Sequence, residues 1–440
     1  MTHILLLLPH LALGGADKFN LDILGQLAKR GWRATVVTTR PGDHPWRAAF
    51  AAVCPDIVDL TEWPAAELPA RLVLLAWQHG SRVVLISNAE FGYAALAYLR
   101  AHLPGVAIAD YCHMEEPTIG GGYPAMSVGA TALLDLQVVS SQHLRTWMIE
   151  RGGDPQQIAI CTTNIDATEW NPAHYHRATL RAALNIAPNA PVVLYAGRLA
   201  RQKQPLLALD VMRAVLQQCP DVVFLIAGDG QFAPYVRGFI RAHRLERSIR
   251  MLGAQQNTRV RELLAASDIL FLPSQMEGIA LAIYEAMAMG VVPVSADVGG
   301  QRELVTPEVG VLIERGPHEH ADYTTALLQL IEHPDILRER GAAARQRIAT
   351  RFTLEQMGER MTALLALAHQ RHAADPRPVD AAAALTSARA AIAAAEASAT
   401  EQSTLDSPLR RWLREQYWQV VEHKASWLVP LVETLRRDVR

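Results

Sequence analysis

Short apolar runs alternate with amphipathic stretches over most of the chain. Runs at 4–8, 34–39, 82–88, 106–113, 136–141 and 158–165 are continuous rather than alternating in polarity, which predicts strands covered on both faces. Helical patterns such as 17–30 lie between several of them, so the strands are expected to form a parallel, doubly wound sheet. The pattern then restarts, with candidate strands at 191–195, 222–227, 249–252, 269–273, 291–295 and 309–313 separated by helices such as 205–217. The expected fold class is therefore α/β, two Rossmann-like domains facing a cleft, plus a C-terminal helical extension. Turn chemistry over 166–188 places the crossover there, giving an N-terminal domain at 1–170 and a second at 171–370. Ligands of such sheets bind beyond the carboxyl ends of the strands, and two facing sheets can close on a substrate.

The remainder departs from this plan. Residues 371–404 include an Ala- and Ser-rich stretch that reads as a helical or partly disordered spacer. Residues 405–440 read as an amphipathic helical segment in which Trp412, Trp418 and Trp427 accompany several Arg. Within it, 409–439 suits a helix packed on a domain, a contact with an oligomer partner, or peripheral attachment to a membrane surface.

At 440 residues the chain exceeds one hydrophobic core, and its net charge of −2 gives no electrostatic case for nucleic acid. Cys54, Cys112, Cys161 and Cys219 are far apart and form no CxxC pair, which argues against a zinc ribbon or a disulfide framework and for reduced thiols. The apolar run at 4–8 stops at Pro9, too short for a signal h-region, and nothing approaches the roughly 18 apolar residues of a membrane span. A cytoplasmic protein is expected, with 409–439 as the candidate for contact with the inner face of a membrane.

The most informative chemistry lies at 275–287, QMEGIALAIYEAM, where a loop runs into a helix and carries Glu277 and Glu285. Gly278 lets backbone approach a ligand, and the amides of Ile279, Ala280 and Leu281 are expected at a helix start, where unpaired N–H groups favour an anion such as diphosphate. Glu277 suits sugar hydroxyls, and Glu285, about two turns along on the same face, suits another hydroxylated group such as ribose. In isolation the two would read as solvated helix glutamates. Arg198 and Lys203 change that reading, because both fall on the loop after the strand at 191–195, where a guanidinium and an ammonium can clamp a diphosphate. Gly228-Asp229-Gly230 ends the next strand as a tight turn, with Gly228 and Gly230 free to take positive φ; it is either structural or a nucleotide contact. In the first domain Gly14-Gly15 lets backbone approach donor phosphates or acceptor, and His113 ends a strand where it can bond a sugar hydroxyl, the reacting centre or a backbone carbonyl. The pairs His174/His176 and His318/His320 lack a third ligand and read as surface. No Asp-x-Asp occurs, so no metal site is expected and the positive charge falls to Arg198, Lys203 and the helix end.

These residues resemble the retaining glycosyltransferases of family four, of GT-B architecture, over roughly residues 1–370. The second-domain series runs in the family's order: Gly197-Arg198 with Lys203, Gly228-Asp229-Gly230, Leu252-Gly253, Pro273-Ser274, Glu277 to Glu285, Ala286 to Gly290 with Val292-Pro293-Val294, and Gly299-Gly300 with Glu303. The resemblance implies that Arg198 and Lys203 bind the diphosphate, Glu277 the donor sugar and Glu285 the ribose of a nucleoside-diphosphate sugar, the donor substrate, with no further cofactor. It also implies a saccharide or lipid-linked acceptor approaching from the first domain, same-face substitution assisted by the leaving phosphate, and a supporting role for His113. Ala280 replaces the family's second Gly after the first glutamate, Thr163-Asn164-Ile165-Asp166 replaces its Asn-Gly-Ile-Asp, and Asp17 stands where a Glu follows the Gly-Gly pair. Other classes considered are a sugar-nucleotide epimerase or phosphorylase of similar architecture and a non-catalytic sugar-nucleotide binder or scaffold. An NAD-dependent oxidoreductase is disfavoured, since Leu13-Gly14-Gly15-Ala16 lacks GxGxxG.

Overall fold

The computed structural model describes residues 2–12 and 14–405. They fall into two compact units, one made of residues up to 164 together with 354–405, the other of 165–353. The first contains a parallel sheet of β1 (His3–Leu8), β2 (Arg33–Thr38), β3 (Ile57–Asp59), β4 (Val83–Ser87), β5 (Ala107–Cys112), β6 (Leu136–Val139) and β7 (Ile158–Ile160), in the order β3-β2-β1-β4-β5-β6-β7. Every residue of β1, β4, β5 and β6 is buried, as strands covered on both faces require, the polar His3, Ser87, Asp110 and Gln137 included. The edge strand β3 was not anticipated; its three residues Ile57-Val58-Asp59 are only half-buried and too few to register as a run.

Two helices cover one face of this sheet. Phe19, Ile23, Leu24 and Leu27 of Gly15–Lys29 meet Met357, Met361, Leu364, Leu365 and Ala368 of Leu354–Ala374 in one cluster with Ile4, Leu6 and Tyr111. The expected boundary at 370 is thereby corrected. The helix Leu354–Ala374 belongs to the first unit because its apolar stripe completes that unit's core, a partnership its local sequence cannot show. Residues 371–404, expected as a helical or partly disordered spacer, are helical from Ala381, but the helix Ala381–Leu405 packs against Leu96–His102 and its neighbours instead of spacing one part from another. Its small residues permit close approach, with Ala391 wholly buried and the Ser387 hydroxyl donating to the Ala94 carbonyl at 2.6 Å. The Trp412, Trp418 and Trp427 segment lies outside the described residues.

The second unit contains β8 (Val192–Ala196), β9 (Val223–Ala227), β10 (Ile249–Gly253), β11 (Ile269–Leu272), β12 (Val292–Ala296) and β13 (Val311–Ile313), all parallel, in the order β10-β9-β8-β11-β12-β13. Two apolar layers sandwich it, one centred on Ile283, Tyr284 and Met287, the other on Met212, Phe239 and Tyr323. In each sheet the strand order reverses once, between β1 and β4 and between β8 and β11. Those are the points where a crevice opens at the carboxyl edge.

Candidate functional site in the second unit

The loops after β8 and β11 flank the switch point of the second sheet, and the structure brings Lys203 and Glu277 together there as an ion pair. Glu277 is 7 % exposed and Lys203 17 %, so the pair is largely removed from water. A carboxylate that buried needs a cation, and the loop geometry supplies it. Gln202 donates through Nε2 to the Met276 carbonyl at 3.0 Å, and its own carbonyl accepts from the Gln275 amide at 2.6 Å. Gln204, at the left-handed φ of 47°, donates to the Pro273 carbonyl at 2.8 Å. Lys203 thus sits between two glutamines that stitch one loop to the other. Its carbonyl also accepts from the buried Tyr195 phenol at 3.0 Å. Neither Gln202 nor Gln204 was singled out in the sequence, since a glutamine in a polar loop carries no local signal of its partner 70 residues away.

Close backbone contacts fix the rest of the loop cluster. A Cβ on Gly228 would lie 1.9 Å from the Gly197 carbonyl oxygen, so the turn after β9 rests directly on the start of the Arg198 loop. Gly228 therefore does not take the positive φ expected of it, whereas Gly230 does, at 148°. The Asp229 carbonyl accepts from the Leu199 amide at 2.8 Å, and its carboxylate caps the Gly230 amide at 2.7 Å. A Cβ on Gly299 would likewise fall 1.9 Å from the Glu277 carbonyl oxygen, and the Gly300 amide donates to the Gly278 carbonyl at 2.7 Å. Glu277 is held from behind by this backbone and in front by Lys203.

The helix after Gly278 begins later than the sequence suggests, at Leu281, with Ala280 as an extended N-cap. Ile279 and Ala280 belong to the loop, the first helical amides are those of Leu281 and Ala282, and the Ile283 amide already bonds the Ala280 carbonyl at 3.0 Å. Glu277 is therefore on the loop and Glu285 one turn into the helix, so the shared helical face expected for the two does not exist. Arg198 is exposed, and its guanidinium makes no hydrogen bond or ion pair among the described residues, although its carbonyl accepts from the Ala200 amide at 2.9 Å. The Ser274 hydroxyl, in the same loop as Glu277, is fully buried and without a partner among the described residues.

The remaining expected residues lie in the first unit. Gly14 and Gly15 are exposed at the start of the helix after β1; Gly14 is extended at φ −171°, a conformation open to any residue. Asp17 accepts from the Ala12 amide at 3.3 Å, and desolvation raises its carboxyl to about 6. His113, just past β5, packs edge-on to Phe19 and Tyr111 and shares Nε2 with the Ser87 hydroxyl at 3.2 Å. Desolvation lowers its pKa to about 3, so it is a neutral hydrogen-bonding group rather than a cation. Another cluster at the opposite, amino edge of that sheet, His3, Asp56 and His79, has metal-ligand types. Its two imidazoles are stacked at 13°, so their in-plane lone pairs cannot converge on one ion as they stand.

Two parallel sheets with this reversal, covered by helices, define the GT-B glycosyltransferase fold. Solved structures bear this out: HepE of Anabaena in complex with UDP superimposes with a TM-score of 0.71 at 20 % identity, over 83 % of this chain and 100 % of that one. Sucrose-phosphate synthase of Thermosynechococcus elongatus gives 0.68 at 19 %, over 85 % and 100 %. Residues 176–347, within the second unit, match the family glycosyl transferases group 1. The chain is 27 % identical to alpha-maltose-1-phosphate synthase of Mycolicibacterium smegmatis over 62 % of this chain and 79 % of that protein. It is 26 % identical to the GDP-mannose-dependent monoacylated alpha-(1-6)-phosphatidylinositol monomannoside mannosyltransferase of Corynebacterium glutamicum over 70 % and 84 %.

Proposed function

We propose that the protein is a retaining, metal-independent glycosyltransferase that moves a sugar from a nucleoside-diphosphate sugar to a hydroxyl of a saccharide, lipid-linked or cell-envelope acceptor. The observation that carries this reading is the Lys203–Glu277 pair beyond β8 and β11. A diphosphate arriving beside exposed Arg198 and the amides of Leu281 and Ala282 draws the Lys203 ammonium away from Glu277. The carboxylate so released accepts from sugar hydroxyls. Each group then has a partner in the loaded state, and the resting ion pair holds both in place beforehand. As the glycosidic bond breaks, charge grows on the leaving diphosphate, so Arg198 and Lys203 stabilise the transition state more than the ground state. Departing phosphate on the same face takes the acceptor proton, and neutral His113 supports the reaction by hydrogen-bonding a sugar hydroxyl. Glu285 is assigned to the ribose. A solved relative of this fold holds UDP-glucose and a sequence relative is named for GDP-mannose, which supports a sugar nucleotide without choosing its base.

The test is a thermal-shift screen of UDP, GDP and ADP and their sugars, followed by a transfer assay with and without EDTA. Stabilisation by one nucleoside diphosphate and EDTA-insensitive release of it are expected. Arg198→Ala should keep the wild-type fold and lose about 10²–10³ in turnover, the scale of one lost donor to developing charge. Nucleotide binding without transfer or hydrolysis of any donor would instead identify a binding protein, and near-normal turnover in Arg198→Ala would remove that residue's role.

A further inference from the structure

The first unit contains a cavity of about 550 Å³ at the carboxyl edge of its sheet, lined by Arg40, Glu90, Glu116, Ile119, Tyr123 and Met126, which the donor chemistry leaves unused. Arg40 lies two residues past β2, and Glu90 follows β4. Their ion pair, 2.8 Å, spans the end of β1 and so bridges the switch point of this sheet. One wall is aromatic. Tyr123 stacks on Tyr93 with centroids 6.3 Å apart and planes 24° from parallel, and Tyr93 is anchored by its phenol, which donates to the buried Asp110 carboxylate at 2.7 Å. Glu116 adds a second, half-buried carboxylate whose pKa desolvation raises.

The rim is of different chemistry. Ile119 is 62 % exposed and Met126 39 % exposed, two of the few large apolar side chains left in water among the described residues. Ile119 is not on a loose strand of chain: an antiparallel bridge joins Glu116 to Gly121, and the Glu116 carbonyl accepts from the amides of both Ile119 and Gly121 at 3.1 and 3.0 Å. Three consecutive left-handed glycines, Gly120 to Gly122, with φ between 63° and 100°, make that tight closure possible. The backbone therefore presents an isoleucine to solvent at the mouth of a polar, aromatic cavity. A sugar ring has an apolar C–H face for a tyrosine and a hydroxyl rim for carboxylates and a guanidinium, whereas exposed Ile119 and Met126 match only hydrocarbon.

We propose that this cavity is an acceptor subsite for a saccharide carried on an aliphatic aglycone, the sugar lying between Tyr123 and the Arg40–Glu90–Glu116 group and the first methylenes of the chain covering Ile119 and Met126. The proposal rests on the glycosyltransferase reading above and narrows its acceptor from any saccharide to an amphiphilic glycoside. It is tested on the full chain by calorimetric titration with n-octyl and methyl glycosides of glucose, galactose and mannose below their micellar concentrations, with octanol as the sugar-free probe. At least one octyl glycoside should bind roughly tenfold tighter than its methyl counterpart, the effect of burying about two methylenes. Ile119→Asp should erase that ratio, and Tyr123→Ala should weaken both members of the pair. Both Ile119 and Met126 are exposed, so Ile119→Asp and the back-up Met126→Ser leave the core intact. Equal affinity for octyl and methyl glycosides, no binding of any glycoside, octanol binding as tight as the octyl glycoside, or octyl affinity unchanged in both rim variants would each overturn it. The thermal shift given by UDP or GDP is read on the same samples. If it persists while the cavity tests fail, only the subsite is wrong; if it is absent, the donor reading fails first.

Discussion

A buried ionised carboxylate is costly without a cation, and Glu277 has one in Lys203. Lys203→Met keeps the length of the side chain and strands the acid, so it should cost about 3 kcal/mol in urea unfolding, the lower range for breaking a buried pair. Adding Glu277→Leu should recover most of that loss while leaving donor binding abolished. Equal stability of Lys203→Met and wild type would show the pair to be solvated and its resting role unnecessary. A second buried acid has the opposite relation to its surroundings. Asp110 lies in the middle of β5, and desolvation raises its carboxyl from the usual 3.8 to about 6 despite the Tyr93 hydrogen bond. A raised carboxyl means the folded state holds the proton more tightly than the unfolded chain. Its contribution is complete below about 3.8 and is lost as pH rises through about 6. Asp110→Asn, neutral throughout, should therefore gain on wild type between pH 4 and pH 7, by up to about 3 kcal/mol for a shift of some two units. Melting curves of the two proteins at both pH values check this, and parallel pH dependence would contradict it.

Loops, more than strands, decide what the second sheet can hold, and they were the part least legible in the chain. Near-continuous apolar runs located β1, β4, β5 and β8 within a residue or two, because a strand buried on both faces is apolar at most positions. Arg198, Lys203, Glu277 and Gly228 were also legible as loop residues at strand ends. Their mutual geometry was not: the pairing of Lys203 with Glu277 spans 74 residues, and nothing local encodes it. The start of the helix at Leu281 was misplaced because Gly278 and Ile279 are compatible with either a loop or a first turn. Gly228 shows the same limit in sharper form, since its need for glycine comes from the Gly197 carbonyl rather than from its own φ. Gly228→Ala should therefore displace the Arg198 loop, lowering stability by about 1–3 kcal/mol as an overpacked contact and weakening nucleotide binding with it. Gly105→Ala, where an added Cβ meets no atom within 4 Å, is the control and should change neither. Similar behaviour of the two variants in denaturation and nucleotide titration would refute the contact argument.

At the scale of the whole molecule the described residues make one continuous unit and one interrupted unit, and this asymmetry has a measurable consequence. Residues 165–353 bring both apolar layers of their sheet with them, and their ends are clipped together by the bridge between Ile165 and Thr353 and by the Ile165 amide bonding the Phe352 carbonyl at 3.0 Å. As a separate fragment they should fold cooperatively and keep the Lys203–Glu277 site, and so give the same nucleotide thermal shift as the full chain. Residues 2–164 alone lack Met357, Met361, Leu364 and Leu365, each no more than 2 % exposed in the intact protein. Burying a side chain of that size contributes roughly 1.5–3 kcal/mol, so four together rival the about 5–15 kcal/mol that holds an ordinary domain folded. That fragment should show no sharp urea transition. Because the chain enters and leaves the second unit at paired residues, a short Gly-Ser link from Asn164 to Leu354 can replace 165–353, and the linked fragment ending at 405 should regain a single cooperative transition in near-ultraviolet circular dichroism. If instead 2–164 unfolds as sharply as the linked fragment, the helix Leu354–Ala374 is an accessory rather than part of the first core, and the division of the chain argued from its burial is wrong.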